Sequence, residues 1–187
     1  MFNRALSHSD QGGWTVEEYL RLDPGRHVEF SNGYLELQPM PDDRHQAILG
    51  LLFVLLHDVA QAFGGRARFA PLPVRLRDEK FREPDLCFMR KENLSRCRDV
   101  YWEGADLVIE VVSPSDPKHD LVTKRSEYAQ AGIPEYWIVD PRERTITVLV
   151  LSGEVYVEAL VGGDGAYVAS RCLPQFEVDV TGVFDAV

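Results

Sequence analysis

Cysteine is scarce in this chain. The 187 residues hold three, Cys87, Cys97 and Cys172, an odd number, widely scattered, with no Cys-x-x-Cys and no Cys/His cluster. That argues against a zinc site, and a chain of this length can bury enough surface to fold without disulfides or a structural metal. Reduced thiols in a cytoplasmic protein are the expectation. Long apolar runs are missing too. The longest, Ile48 to Leu56, falls well short of the roughly 18 residues that suggest a membrane span, and it reads as a buried core helix. Met1 to Gly13 is polar and has no apolar h-region, so it is expected to be a flexible arm and not a signal peptide. Internal repeats, low-complexity tracts and an obvious linker are absent. So are Gly-x-Ser-x-Gly, the P-loop and Gly-x-Gly-x-x-Gly, which leaves a small-molecule hydrolase or isomerase without a motif behind it.

Net positive charge is also lacking. The formal charge is -10 and the pI near 4.9, whereas nucleic-acid binders usually carry a basic footprint. The distribution softens that objection. Residues 66–98 hold ten Lys/Arg and five Asp/Glu, a local +5, which leaves -15 for the remainder. A solvated face is the bland reading of such a stretch.

What is present points to one α/β domain. Hydrophobic residues make up 45% and charged residues 27%, an ordinary globular balance. Thr15 to Leu22 predicts a short helix, with Thr15 as N-cap, Glu18 completing a capping box, and Asp23-Pro24-Gly25 as the stop. Two short alternating runs around Asn32-Gly33 predict a hairpin. Asp42 to Phe63 predicts a long helix, apolar over most of its circumference and therefore buried. Strands are expected at Ala67 to Arg77, Pro84 to Met89, and Ala105 to Ser113, the last apolar on both faces and so central in a sheet. A helix from Lys118 to Ala131 and a strand from Ile133 to Val139 then form a right-handed crossover with parallel strands. Thr145 to Leu151 and Glu154 to Leu160 flank Ser152-Gly153 as a second hairpin, and Pro174 to Val180 is expected as an edge strand. The order predicts a central mixed β-sheet, a single one, flanked by helices on both sides, with added β-hairpins.

Glu110 carries the most information. It lies in Leu-Val-Ile-Glu-Val-Val, mid-strand, where an unpaired ionised carboxylate costs several kcal/mol. A metal ion, a basic partner or protonation must compensate, and a buried pair with Arg is the structural alternative. Asp85 follows Pro84, which fixes φ and cannot donate to a ladder, so Asp85 falls near a strand start. If the two strands are neighbours, Asp85 and Glu110 converge on one hard cation, and two carboxylates with carbonyls and waters suit Mg²⁺ or Mn²⁺. A solvated Asp is the alternative. Lys124 shares a helix flank with Leu121 and Tyr128 and can reach the sheet end, there to orient a water or steady charge on phosphate. A surface Lys is its bland reading. By helical spacing Arg125 lies nearer the apolar centre and is the rival inward cation.

Pro84-Asp85, Glu110-Val111-Val112-Ser113-Pro114, Lys124 to Ala129, and Gly132-Ile133-Pro134-Glu135-Tyr136-Trp137-Ile138-Val139-Asp140-Pro141 together resemble a bacterial restriction-endonuclease-like family of unknown function within the PD-(D/E)XK nuclease superfamily. The likeness runs from about Val16 to Val180. It implies a restriction-endonuclease-like α/β fold and Mg²⁺- or Mn²⁺-dependent hydrolysis of phosphodiesters, with DNA as partner. Asp85 and Glu110 would be the metal ligands, with the carbonyl of Val111 as a third oxygen, and Lys124 a catalytic residue. Glu29, in Val28-Glu29-Phe30, and His45 match further family positions. Dimers are frequent in the superfamily, which makes a homodimer an assembly to test. One departure stands out. The superfamily pattern puts Lys two residues after the acidic ligand, where this chain has Val112, and Lys124 on the next helix would take its place. That departure and the overall acidity motivate a second reading, a catalytically silent nuclease fold serving as an interaction module.

Overall fold

The computed structural model describes residues 11–22 and 27–186. Most of the arm expected over residues 1–13, and the Asp23-Pro24-Gly25 stop, lie outside them. Helix α1 (Val16–Leu20) begins with the capping box: the Thr15 hydroxyl accepts from the Glu18 N–H, and the Glu18 carboxylate accepts from the Thr15 N–H. Strands β1 (Val28–Ser31) and β2 (Tyr34–Leu37) form the expected hairpin. Asn32 and Gly33 both sit in the left-handed region, at φ 48° and 84°, as a turn that matches strand twist requires.

Asp42 caps α2 (Asp43–Ala62) by accepting from the His45 N–H. This helix is not buried all round as the sequence suggested. Ile48, Leu52, Leu56 and Ala60 are fully buried, while Val54 is 55% exposed. Only one stripe meets the sheet, so the apolar excess on the far side stays in solvent. By length and composition alone this helix could span a membrane. Here its buried stripe packs with Leu107, Ile109 and Trp137.

The strand expected over Ala67 to Arg77 is two strands, β3 (Arg66–Phe69) and β4 (Val74–Arg77), in different sheets. Pro71 and Pro73 lack the N–H that a continuous ladder needs, and the chain changes sheet there. There follow β5 (Lys80–Arg82), which the sequence reading omitted, β6 (Leu86–Met89), a 3₁₀ segment (Lys91–Arg96), β7 (Trp102–Glu103) and β8 (Leu107–Val111). The helix expected from Lys118 splits into a π-helical segment (His119–Lys124) and α3 (Arg125–Gln130). Strands β9 (Glu135–Asp140), β10 (Thr145–Ser152), β11 (Val155–Gly162), β12 (Tyr167–Ala169) and β13 (Glu177–Asp179) and helix α4 (Val180–Phe184) complete the order.

In place of the single sheet expected, the described residues form three. The central one is mixed, with six strands in the order β11-β10-β9-β8-β6-β3. A five-stranded sheet runs β2-β1-β5-β4-β7, and β12 pairs with β13 apart from both. Strands β8 and β9 are parallel and joined through the helical segment, as expected of a crossover. Leu107, Ile109 and Val111 face the α2 side, while Val108 and Val112 face Tyr128 of α3. The central sheet thus carries helices on both faces, and β8 is buried on both. By the strand period of two, Glu110 shares its face with Val108 and Val112.

Candidate functional site

The register of β6 against β8 sets the site. Leu86 pairs with Ile109, so Asp85, one residue before β6, lies across from Glu110. The Asp85 N–H donates to Glu110 Oε2 at 3.3 Å, and the Val111 N–H donates to Asp85 Oδ2 at 2.8 Å. His45, from the first turn of α2, places Nε2 3.2 Å from the same Asp85 oxygen. Asp85, Glu110, Val111, His45 and Lys124 all line one cleft of about 1000 Å³.

Lys124, and not Arg125, is the inward cation. Lys124 is buried, with Nζ 2.9 Å from Glu110 Oε1, 3.3 Å from Asp120 Oδ1 and 3.6 Å from Glu29 Oε1. Arg125 turns away toward Glu158 and the Tyr156 carbonyl. The π winding of residues 119–124 explains the difference. Its extra residue per turn shifts the phase of the side chains that follow, so an α-helical count misplaces both cations. Burial alone would lower the Lys124 ammonium, but Glu110, Glu29, Asp120 and Asp85 hold it well above its ordinary value. Those four carboxylates favour its charged form.

Glu29 reaches the same lysine from the other sheet. It is fully buried on β1 and also accepts from Arg82 Nη1 at 2.8 Å, Gln38 Nε2 at 2.9 Å and the Glu83 N–H at 3.2 Å. Burial would raise its carboxyl, yet Lys124, His119 and Arg82 hold it down, to about 2. Glu29, Glu36 and His119 bring ligand atoms within 4.8 Å of one another. The Arg82 guanidinium already bonds both of those glutamates, so the charge of that trio is met by the protein itself.

Asp85 and Glu110 differ in this respect. Burial, with Asp85 and Asp120 nearby, pushes the Glu110 carboxyl up, against the pull of Lys124 and the Tyr128 hydroxyl. Burial is the larger cause, and it leaves the Glu110 carboxyl raised even with Lys124 beside it. A hard divalent cation fits such a set of oxygens: two carboxylates, and the carbonyl of Val111 at the same strand end.

Several residues escaped the sequence reading. Tyr128 donates from its hydroxyl to Glu110 Oε1. Asp120 pairs with Lys124 and accepts from the Ser113 N–H at 3.2 Å; its place four residues before Lys124 was the available signal. Arg82 forks onto Glu29, Glu36 and Glu127, joining partners too distant in sequence to be paired by spacing. The basic stretch also changes meaning, because Lys80 and Arg82 are buried in ion pairs, while Arg66, Arg68, Arg77, Lys91 and Arg98 stay exposed.

Glu135, in the Gly-Ile-Pro-Glu-Tyr-Trp segment, is buried away from the cleft. It accepts from Trp137 Nε1 at 2.6 Å and from the Arg171 and Cys172 N–H groups at 2.8 and 2.7 Å. Glu135→Ala strips three donors of their acceptor and is expected to destabilise by about 2–3 kcal/mol in urea unfolding, with divalent-ion binding unchanged.

Among solved structures, the chain is similar to that of a "putative nuclease belonging to DUF820" from Anabaena variabilis ATCC 29413. The TM-score is 0.76 at 20% identity, over 92% of this chain and 98% of that one. At that identity the likeness establishes the fold. No curated protein matches. The family model Uma2, described as "Putative restriction endonuclease", matches residues 16–181, and the chain belongs to that family of restriction-endonuclease-like nucleases.

Proposed function

We propose that the protein is a divalent-metal-dependent endonuclease that hydrolyses phosphodiester bonds of DNA, working in the cytoplasm with its three thiols free. One observation carries this reading. Two carboxylates from neighbouring strands meet at a cleft beside a buried lysine. Asp85 and Glu110, with the Val111 carbonyl, would hold Mg²⁺ or Mn²⁺, and a bound ion supplies Lewis acidity toward the phosphodiester oxygen and the attacking water. Lys124 presents a fixed ammonium to charge developing on the phosphate, in a place largely shut from water. Glu29 and Asp120 keep that ammonium charged and aimed. The exposed Arg66, Arg68, Arg77, Lys91 and Arg98 offer contacts to the nucleic-acid backbone.

The Lys124–Glu110 contact at 2.9 Å also suits a silent module held together by ion pairs. Divalent ions separate the two readings. For the nuclease, Mn²⁺ at about a hundred times its dissociation constant adds roughly 2.7 kcal/mol to stability, a rise of roughly 5–10 °C in Tm for a chain of this size. That rise disappears in Asp85→Ala, together with Mg²⁺- or Mn²⁺-dependent cleavage of DNA. A wild-type Tm that ignores both ions, with no cutting over a broad panel of DNA substrates, would sink the proposal.

A further inference from the structure

We infer that His45 and Tyr128 are positioning residues that fix which oxygen of each acid is offered to the ion: Oδ1 of Asp85 and Oε2 of Glu110. The inference rests on the reading that these two acids hold a divalent cation, and it adds the residues that hold the acids.

The hydrogen bonds divide each carboxylate into an occupied and an available oxygen. Asp85 Oδ2 takes both the Val111 N–H at 2.8 Å and His45 Nε2 at 3.2 Å. Among the described residues no donor reaches Asp85 Oδ1. Glu110 Oε1 takes both the Tyr128 hydroxyl and Lys124 Nζ, the latter at 2.9 Å. Glu110 Oε2 takes only the Asp85 N–H at 3.3 Å, a long contact for an N–H donor. A carboxylate already carrying two donors on one oxygen presents the other to a cation. The two acids are neighbours across the β6–β8 ladder.

The holders are themselves held, and from opposite faces of the central sheet. His45 lies in the first turn of α2, where its N–H donates to Asp42 Oδ1 at 2.8 Å. Its Nε2 is the ring nitrogen that faces Asp85, and its Nδ1 is buried without a partner among the described residues. Tyr128 is fully buried on α3, its ring edge-on to Tyr136 with centroids 5.2 Å apart. Removing either holder leaves its oxygen with one donor in place of two, the Val111 N–H on Asp85 Oδ2 and Lys124 on Glu110 Oε1, and so weakens the preference for the other oxygen. Partners of this kind govern metal affinity by about 10–100-fold.

The test is calorimetric titration of Mn²⁺ into the full chain, with the Tm of the metal-free protein as a second readout. His45→Ala and Tyr128→Phe are expected to weaken Mn²⁺ binding about 10–100-fold while the metal-free Tm stays within a few degrees of wild type. His45→Gln is expected to recover most of the affinity, because its amide nitrogen can donate to Asp85 Oδ2. His45 faces the cleft, so its two variants carry the test even if Tyr128→Phe folds poorly. Wild-type affinity in His45→Ala, or equal losses in His45→Ala and His45→Gln, overturns the positioning role while a loss in Asp85→Ala leaves the metal reading standing. Absence of Mn²⁺ binding by the wild type overturns both.

Discussion

Glu110→Gln is expected to lower metal-dependent cleavage by about a thousandfold or more while the metal-free protein stays within about 1–2 kcal/mol of wild type. The loss follows from removing one of two anionic ligands of a Lewis acid that contributes several kcal/mol to the transition state, at 1.36 kcal/mol per tenfold in rate. The retained stability follows from the surroundings. Lys124 keeps Glu29 and Asp120 as partners. A glutamine carbonyl still accepts from the Tyr128 hydroxyl. Burial and its acidic neighbours already disfavour the charge on Glu110, so a neutral side chain of the same shape relieves some repulsion. An ion pair present only for stability behaves otherwise, since breaking one costs about 3–5 kcal/mol. Cleavage kinetics and urea unfolding on the same variant therefore decide between the nuclease and the silent module. A variant that cuts like wild type, or that loses more than about 3 kcal/mol, would contradict the first.

Arg82→Ala is expected to produce the largest stability loss among single substitutions at the site, about 3–5 kcal/mol, or roughly 6–20 °C in Tm. The side chain is 2% exposed and holds Glu29, Glu36 and Glu127 at once. Its removal leaves Glu29 fully buried between Glu83 and the remaining acids of the cleft, with Lys124 and Gln38 as its chief donors. Arg82→Lys is not expected to restore the loss, because a single ammonium cannot span partners on β1, β2 and α3 as the planar fork does. Thermal unfolding in low salt checks this, and a Tm within about 3 °C of wild type would show that the network contributes little.

The sequence was most legible where the cause was local. Thr15 with Glu18, Asn32-Gly33 and the apolar run of α2 each act over a few residues, and each element formed, although α2 buries one stripe and not its whole circumference. The apolar run around Glu110 also showed that β8 is central, because burial on both faces leaves no polar alternation. Reading failed where distant partners decided. Lys80–Arg82 is too short and too charged to signal a strand, and it is one because β1 and β4 pair with it on either side. The strand expected over Ala67 to Arg77 runs through Pro71 and Pro73, which divide two sheets. At the site, the sequence made the meeting of Asp85 and Glu110 conditional on their strands being neighbours, and the β6–β8 ladder supplies that condition. The choice between Lys124 and Arg125 depended on a π winding that no α-helical period contains, and Arg82 and Tyr128 came into view only with the tertiary contacts.

The pairing of Leu86 with Ile109 has an evolutionary corollary. Residues 91–100, within the link from β6 to β8, are exposed or half-buried throughout, so insertions and deletions there can accumulate without disturbing the opposed acids. A single-residue deletion inside Leu107–Val111 cannot. Because side chains alternate, it would swing Glu110 into the greasy layer under α2 and bring a valine to the cleft. Length variation among descendants of this gene should therefore collect in that connection and spare the two strands it joins.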